Sequence, residues 1–268
     1  MNMLKSLEKV IILISIVVLN HHALAQKSIR IVNYNILEGM RIDTTNNKTD
    51  FVSWVKNINP DVLTLQEVNG FTQRNLELLA IRYGHPYAIL VKENGYPTAI
   101  TSKYPIVNVR RVLDNITHGF IQCKIEGLNF IVLHLNAHSE DKRLQEIATI
   151  TQTIKYADSQ SNWLIMGDFN SVSPLDDSYF RSSRDYTLHK KILEFGLIDV
   201  LKINRNVEDF ISTCPTPNFR KEGSKLLRYD FIYMSKDLKS RFIKSEVIQD
   251  DFTSTYSDHY PVMMELFN

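Results

Sequence analysis

Three short polar clusters, each at the edge of an apolar run, hold the residue types that phosphoester hydrolysis needs: Gln66-Glu67, Gly167-Asp168-Phe169-Asn170 and Ser257-Asp258-His259-Tyr260. Carboxylates hold a hard divalent cation, an amide orients a phosphoryl oxygen, and a histidine held by an aspartate moves or donates a proton. Metal-assisted attack of water on a phosphate ester uses all of these groups at one place. Taken singly, each polar tip is more simply a turn or an end-cap residue. Three tips of complementary chemistry in one chain favour a site.

For the clusters to meet, they must sit at the ends of neighbouring strands. From Ser28 the pattern alternates. Ile29, Ile31 and Val32 make a buried strand running into Asn33-Tyr34-Asn35, and Phe51, Val52, Trp54, Val55 and Ile58 then recur at helical spacing until Asn59-Pro60 stops them. A second strand over 61–67 ends in Gln66-Glu67, and a helix is expected over 71–82. Strands are expected over 87–91, 98–102, 106–113, 120–125 and 130–135, separated by turn signals such as Asn94-Gly95 and Glu126-Gly127. An amphipathic helix over 140–157 presents Leu144, Ile147, Ala148, Thr151, Ile154 and Ala157. Trp163-Leu164-Ile165-Met166 then runs straight into Gly167-Asp168. A helix over 188–195 and strands over 229–234, 242–247 and 261–266 close the chain. No linker, repeat or low-complexity segment divides it. The expected architecture is α/β: two mixed sheets packed face to face with helices outside.

Composition sets bounds on this reading. At 268 residues and 44% hydrophobic content the chain can bury one sizeable core. Lys5 and Lys9 precede the apolar run Val10 to Leu19, and Ala23-Leu24-Ala25 follows it, so residues 1–25 are expected to be a secretory signal peptide and 26–268 the folded domain. The run falls well short of the roughly 20 residues that span a bilayer, so no transmembrane anchor is expected. A secreted or periplasmic monomer follows. Without Lys5, Lys9 and Glu8, the 31 basic and 30 acidic residues become 29 of each. A neutral protein lacks the basic excess typical of a nucleic-acid grip. The local cluster Arg220, Lys221, Lys225 and Arg228 is the one stretch that suits an anionic substrate. Cys123 lies in a strand and reads as a small buried hydrophobe, so a bridge to Cys214 is not expected.

The motifs also carry a resemblance. Asn33-Tyr34-Asn35-Ile36, Leu65-Gln66-Glu67-Val68, His134-Leu135, Gly167-Asp168-Phe169-Asn170-Ser171, Arg228-Tyr229-Asp230-Phe231 and Ser257-Asp258-His259-Tyr260 fall in the order of the endonuclease/exonuclease/phosphatase superfamily, which the chain resembles from about residue 28 onward. The resemblance implies a DNase I-like four-layer α/β/β/α sandwich and a magnesium-dependent phosphoesterase, with Mn2+ as the alternative cation. It implies Glu67 as principal metal ligand, with Asn35 and Asp258 completing the metal side through direct or water-bridged contacts. Asp168 would orient or deprotonate the attacking water, and Asn170 would hold a phosphoryl oxygen. His259, fixed by Asp230, would be the essential histidine, as base or as phosphate-binding cation, and His134 a second one on the phosphate side, with two cationic imidazoles able to neutralise the developing charge. His118-Gly119 stands where many relatives place Arg-Gly, which makes His118 a candidate phosphate contact beside Arg228. A surface histidine is the plainer reading of His118.

Two function classes remain. The first is a secreted phosphodiesterase or, within the same chemistry, an endonuclease or exonuclease, a sphingomyelinase or an inositol phosphatase. The second is a binding protein that keeps the fold without the chemistry. Loss of a catalytic position would mark the second, and no position is lost.

Overall fold

The computed structural model describes residues 27–180, 185–205 and 209–268, and the leader expected over 1–25 lies outside them. In chain order the elements are β1 (Ser28–Asn35), α1 (Thr49–Ile58), β2 (Val62–Gln66), α2 (Gln73–Arg82), β3 (Tyr87–Leu90), β4 (Ala99–Ser102), β5 (Val107–Val112), β6 (Phe120–Ile125), β7 (Leu128–His134), α3 (Glu140–Lys155), β8 (Trp163–Asp168), α4 (Asp177–Phe180), α5 (Thr187–Glu194), β9 (Leu197–Asp199), β10 (Asp230–Ser235), β11 (Phe242–Val247), α6 (Asp251–Tyr256) and β12 (Val262–Phe267). They form two six-stranded sheets, one in the order β11-β12-β1-β2-β4-β3 and the other β5-β6-β7-β8-β10-β9. Each is mixed, since β1 and β2 run parallel, as do β7 and β8, while the other pairings are antiparallel. Short edge strands that the sequence hides, β9 above all, and the one-and-a-half-turn α6 complete the layers. The α6 start is fixed by a capping box between Asp250 and Thr253.

Period two explains why the central strands carry apolar residues on both faces. Ile31, Val62, Phe130, Val132, Leu164, Met166, Ile232 and Met234 join one cluster between the sheets. Their sequence neighbours Val32, Leu63 and Leu65 pack with α1 and α2 on one outer face, and Ile131, Leu133, Ile165 and Phe231 pack with α3 and α5 on the other. Both faces of each sheet are covered, which makes the four-layer sandwich.

The same parity positions the site. Counting by twos from the inter-sheet residues reaches Asn35 on β1, Gln66 on β2, His134 on β7, Asp168 on β8 and Asp230 on β10. All five therefore face the gap between the sheets, where the apolar filling ends. Register brings the second sheet's three level with one another, since His134 pairs with Asp168 and Asp168 with Asp230. Beneath Asn35, Asn33 accepts hydrogen bonds from Thr64 Oγ1 (2.8 Å) and Gln66 Nε2 (2.9 Å), so the core grades from apolar to polar toward the site.

Two expectations need correction. The buried face of α3 is Glu146, Ile147, Ile150 and Ile154, whereas Ala148 is exposed. Glu146 turns inward because it accepts from the Thr117 and Asn136 backbone N–H groups at 2.7 and 2.9 Å. Arg228 is not a substrate contact. It is 1% exposed, with its guanidinium 2.7 Å from both Asp176 and Asp199 and 4.2 Å over the Phe231 ring. The two carboxylates that hold it are distant in sequence and draw the cation into the interior. Cys123 and Cys214 are both free and buried, as expected.

Two buried histidines predict the acid stability. His85 bridges Thr101 Oγ1 (2.8 Å) and the Pro60 carbonyl (2.9 Å), and His189 bridges the Tyr233 hydroxyl (2.7 Å) and the Ser171 carbonyl (3.1 Å). Burial pushes their pKa values down to about 4 and about 3. An unfolded chain takes up these protons below about pH 6.5, whereas the folded one resists until about pH 3–4, so stability should fall as pH drops through that window. Each ring accounts for a loss on the order of 3 kcal/mol. Urea denaturation at about pH 7 and about pH 4.5 measures it, and His85→Gln should flatten the slope. A slope unchanged by that substitution would remove His85 from the account.

Candidate active site

On the first sheet, the chain leaves β1 and β2 through backbone that few residues adopt. Leu37, Glu38, Met40 and Glu67 all have positive φ, and Gly39, also positive, packs so closely that a Cβ would meet the Asn69 carbonyl oxygen at 2.2 Å. Strain of this kind re-aims side chains at strand ends and persists only where the surroundings hold it. Here the Glu38 N–H donates to Glu67 Oε2 (3.1 Å) and the Gly39 N–H to the Glu67 carbonyl (2.6 Å). On the second sheet, Gly167 lies where a Cβ would come within 1.9 Å of the Leu133 carbonyl oxygen. Only glycine lets β7 and β8 close up beside the Asp168 motif.

One amide links the two sheets. Asn35 Nδ2 donates to Glu67 Oε1 at 3.2 Å and to Asp168 Oδ2 at 3.0 Å, while its Oδ1 accepts from the Leu37 N–H. Its nitrogen faces both carboxylates, so it positions Glu67 and Asp168 beside the expected metal side. Ser257 ties the C-terminal motif to the same place, donating to the Asn35 carbonyl (2.7 Å) and accepting from the His259 N–H (3.1 Å).

His259 Nδ1 lies 2.7 Å from Asp230 Oδ2, and its Nε2 lies 3.8 Å from Asp168 Oδ2. Burial alone would lower its pKa, but Asp230 and Asp168 outweigh burial and hold it well above the ordinary histidine value. It is therefore a cation. His134, whose Nε2 is also 3.8 Å from Asp168 Oδ2, behaves in the opposite way. Burial, with His118 and His259 as like charges, pushes it well below the ordinary value, so the expectation of two cationic imidazoles is corrected to one. Asp168 is pushed up to about 7, chiefly by burial and further by Asp230, against the pull of His259, the Asn170 N–H and the Asn35 amide. A carboxylate near neutrality is matched to proton transfer at neutral pH. Asn170 spends one amide N–H on the Leu135 carbonyl (3.0 Å), leaving the other.

The donor set for a metal separates from the proton set. Asp168, Asp230 and His259 offer ligand atoms within 4.8 Å of one another. In this trio His259 Nδ1 is already hydrogen-bonded to Asp230 Oδ2 at 2.7 Å. Glu67 fits better. Its carboxyl is raised by burial against the pull of the His259 charge, the nearby Asp258 charge adds to that rise, and among the described residues no Lys or Arg pairs with either group. Two hard oxygen donors with no Lys or Arg partner suit a divalent ion.

A sequence profile then decides the family. The profile of the Endonuclease/Exonuclease/phosphatase family matches residues 32–259, spanning every strand end described above. The chain belongs to this family. Its members are divalent-metal-dependent hydrolases of phosphoric esters, and the chain is accordingly a phosphoesterase or nuclease. No curated protein matches it in sequence. Among solved structures it is similar to an AP endonuclease from Archaeoglobus fulgidus, at 24% identity and a TM-score of 0.71 over 90% of this chain and 99% of that one. It is also similar to a variant of the 3' phosphatase NExo from Neisseria bound to a product DNA hairpin, at 20% and 0.67 over 89% and 99%. The 3'-5' exonuclease NExo from Neisseria meningitidis gives 20% and 0.68 over the same shares. At these identities the neighbours establish the DNase I-like fold.

Within this family frame the structure brings together Asn35, Glu67, His134, Asp168, Asn170, Asp230, Asp258 and His259, and sets Arg228 apart. His118 is half-buried and stacks on His134. Sequence reasoning missed Thr213, whose hydroxyl accepts from the Tyr229 and Asp230 N–H groups at 3.0 and 3.2 Å and so sets the start of β10. A lone threonine in a long loop gives no signal of that role.

Proposed function

We propose that this family member is a magnesium-dependent phosphodiesterase working outside the cytoplasm. The observation that carries the reading is the pairing of a proton set, Asp168, His259 and Asp230, with a hard-cation set, Glu67 and Asp258, across the single amide of Asn35. When bound, magnesium supplies charge neutralisation and polarises a phosphoryl oxygen. Asp168 orients water and takes its proton at Oδ2. As the water oxygen bonds to phosphorus, the ester oxygen leaves with its bonding pair and takes a proton from solvent, while His259 donates a hydrogen bond through Nε2 to a phosphoryl oxygen and Asp230 keeps the ring turned and charged. Neutral His134 and the free N–H of Asn170 add donors that stabilise the transition state's developing charge without adding net charge.

A nuclease reading is favoured by one observation. Arg220, Lys221 and Lys225 are exposed, and among the described residues they have no ion pair. The exported protein, whose first residue should be Gln26, separates the two. With magnesium, wild type should hydrolyse simple aryl phosphodiesters, and His259→Ala should not. Activity confined to DNA or RNA would replace the reading by the nuclease, and a preference for sphingomyelin or inositol phosphates would redirect it. No hydrolysis across this whole panel would leave a binding protein. Retention of Met1 in a membrane fraction would overturn the location.

A further inference from the structure

A row of rings runs outward from the site to its rim. His118 stacks on His134 with centroids 4.5 Å apart and planes 26° apart, and Tyr96 meets His118 at 5.7 Å and 69°. Tyr96 is 40% exposed, and its hydroxyl donates to Glu38 Oε1 over 3.4 Å. Glu38 is the residue whose N–H holds Glu67. The outermost ring thus touches both halves of the site, through His118 on one side and Glu38 on the other.

Packing does not account for this ring. Tyr96 belongs to none of the apolar clusters of the interior. A T-shaped contact spends one edge against one face, so open ring surface remains toward solvent. Farther in, the buried His134 Nδ1 has no hydrogen-bond partner, which marks the inner end of the row as unfinished without a ligand. The middle ring is rigidly held. Thr117 N–H and Oγ1 donate to Glu146 at 2.7 and 2.5 Å, Lys92 Nζ donates to the Thr117 carbonyl at 3.1 Å, and a Cβ on Gly119 would come within 2.9 Å of both Leu113 and Val91. His118 is pushed down to about 4, chiefly by burial and then by Lys92, so it offers a neutral ring face and no charge for an anion.

We propose that Tyr96 and His118 form a ring-binding subsite that stacks on a planar group esterified to the phosphate, which makes ring-bearing phosphoesters the preferred substrate class. The inference rests on the phosphoesterase reading and adds to it a contact beside the phosphate. A nucleobase and an aryl alcohol present the same flat face, and sequence-tolerant stacking of this kind is worth about 1–3 kcal/mol per ring, or about fivefold and upward in affinity.

Calorimetric titration of the full protein with magnesium, using methyl phosphate, phenyl phosphate and thymidine monophosphate as probes, tests it without turnover. Wild type should bind both ring-bearing probes at least about fivefold more tightly than methyl phosphate. Tyr96→Phe should keep that ratio and Tyr96→Ala should bring it close to one. Tyr96 is exposed, so truncation leaves the interior intact, and His118→Phe provides a second variant that retains a ring. Thymidine monophosphate bound above phenyl phosphate assigns the subsite to nucleoside esters, and the two bound equally assign it to aryl rings in general. Equal binding of all three probes by wild type, no binding of any, or a ratio that survives Tyr96→Ala overturns the proposal. Ring preference without hydrolysis of any ester would instead sink the phosphodiesterase reading and leave the subsite standing.

Discussion

His259→Ala is expected to lower kcat/KM by roughly 10²–10⁴-fold, Asp230→Asn by about 10²-fold, and the double variant hardly more than His259→Ala alone. The 2.7 Å bond between His259 Nδ1 and Asp230 Oδ2 fixes which nitrogen is left to face Asp168, and it keeps the ring charged against the effect of burial. Without the carboxylate, the ring is free to turn and its pKa falls. The limb of the pH–rate profile that needs the imidazolium should therefore move to lower pH in Asp230→Asn, so the variant loses activity earlier as pH rises. Stability has the same sign. A folded pKa above the unfolded one gives a contribution complete below the ordinary histidine value and lost as pH rises through the folded value. A double-mutant cycle on kcat/KM measures the coupling. Additive losses, or a pH limb that does not move, would show that the two residues do not act as a unit.

What the sequence made legible follows from period two. The polar tips at Asn35, Gln66-Glu67, His134 and Asp168 ended strands whose apolar residues could be counted, so their convergence could be expected before any contact was known. Charge and partnership were less legible. His134 as a cation was an inference from residue type, whereas its neutrality comes from burial beside His118 and His259, residues 16 and 125 positions away. Arg228 stood next to the Asp230 motif and had the right charge for a phosphate, but Asp176, in the turn before α4, and Asp199, at the end of β9, compete for it from segments the sequence could not place. Asn35 was assigned to the cation by resemblance, and only the Leu37 N–H on its oxygen shows which way the amide turns. The helix α6 and strand β9 were too short for their periodicity to register.

Glu67→Gln is expected to lower magnesium affinity and kcat/KM by on the order of 10²-fold or more while leaving the fold unchanged. The change keeps the side chain's volume and removes the charge and one acceptor, since Glu67 takes the Asn35 amide on Oε1 and the Glu38 N–H on Oε2 and glutamine has a single oxygen. The metal-free protein should respond in an unusual direction. Burial and Asp258 raise the Glu67 carboxyl above its ordinary value, which means the folded state resists ionising it and the carboxylate costs stability at neutral pH. An uncharged amide relieves that cost and so offsets the lost acceptor, and thermal unfolding without metal should occur at about the wild-type temperature or higher. Added magnesium should then raise the unfolding temperature of wild type, which binds it in the folded state, and hardly move the variant. The order of the two proteins would therefore reverse, or the gap between them close, as magnesium is added. A strand-end glutamate with only a structural role predicts the opposite pattern, a variant less stable than wild type by the same margin with and without the ion. Calorimetric titration provides the second readout, and unchanged magnesium affinity in Glu67→Gln would move the cation site away from β2.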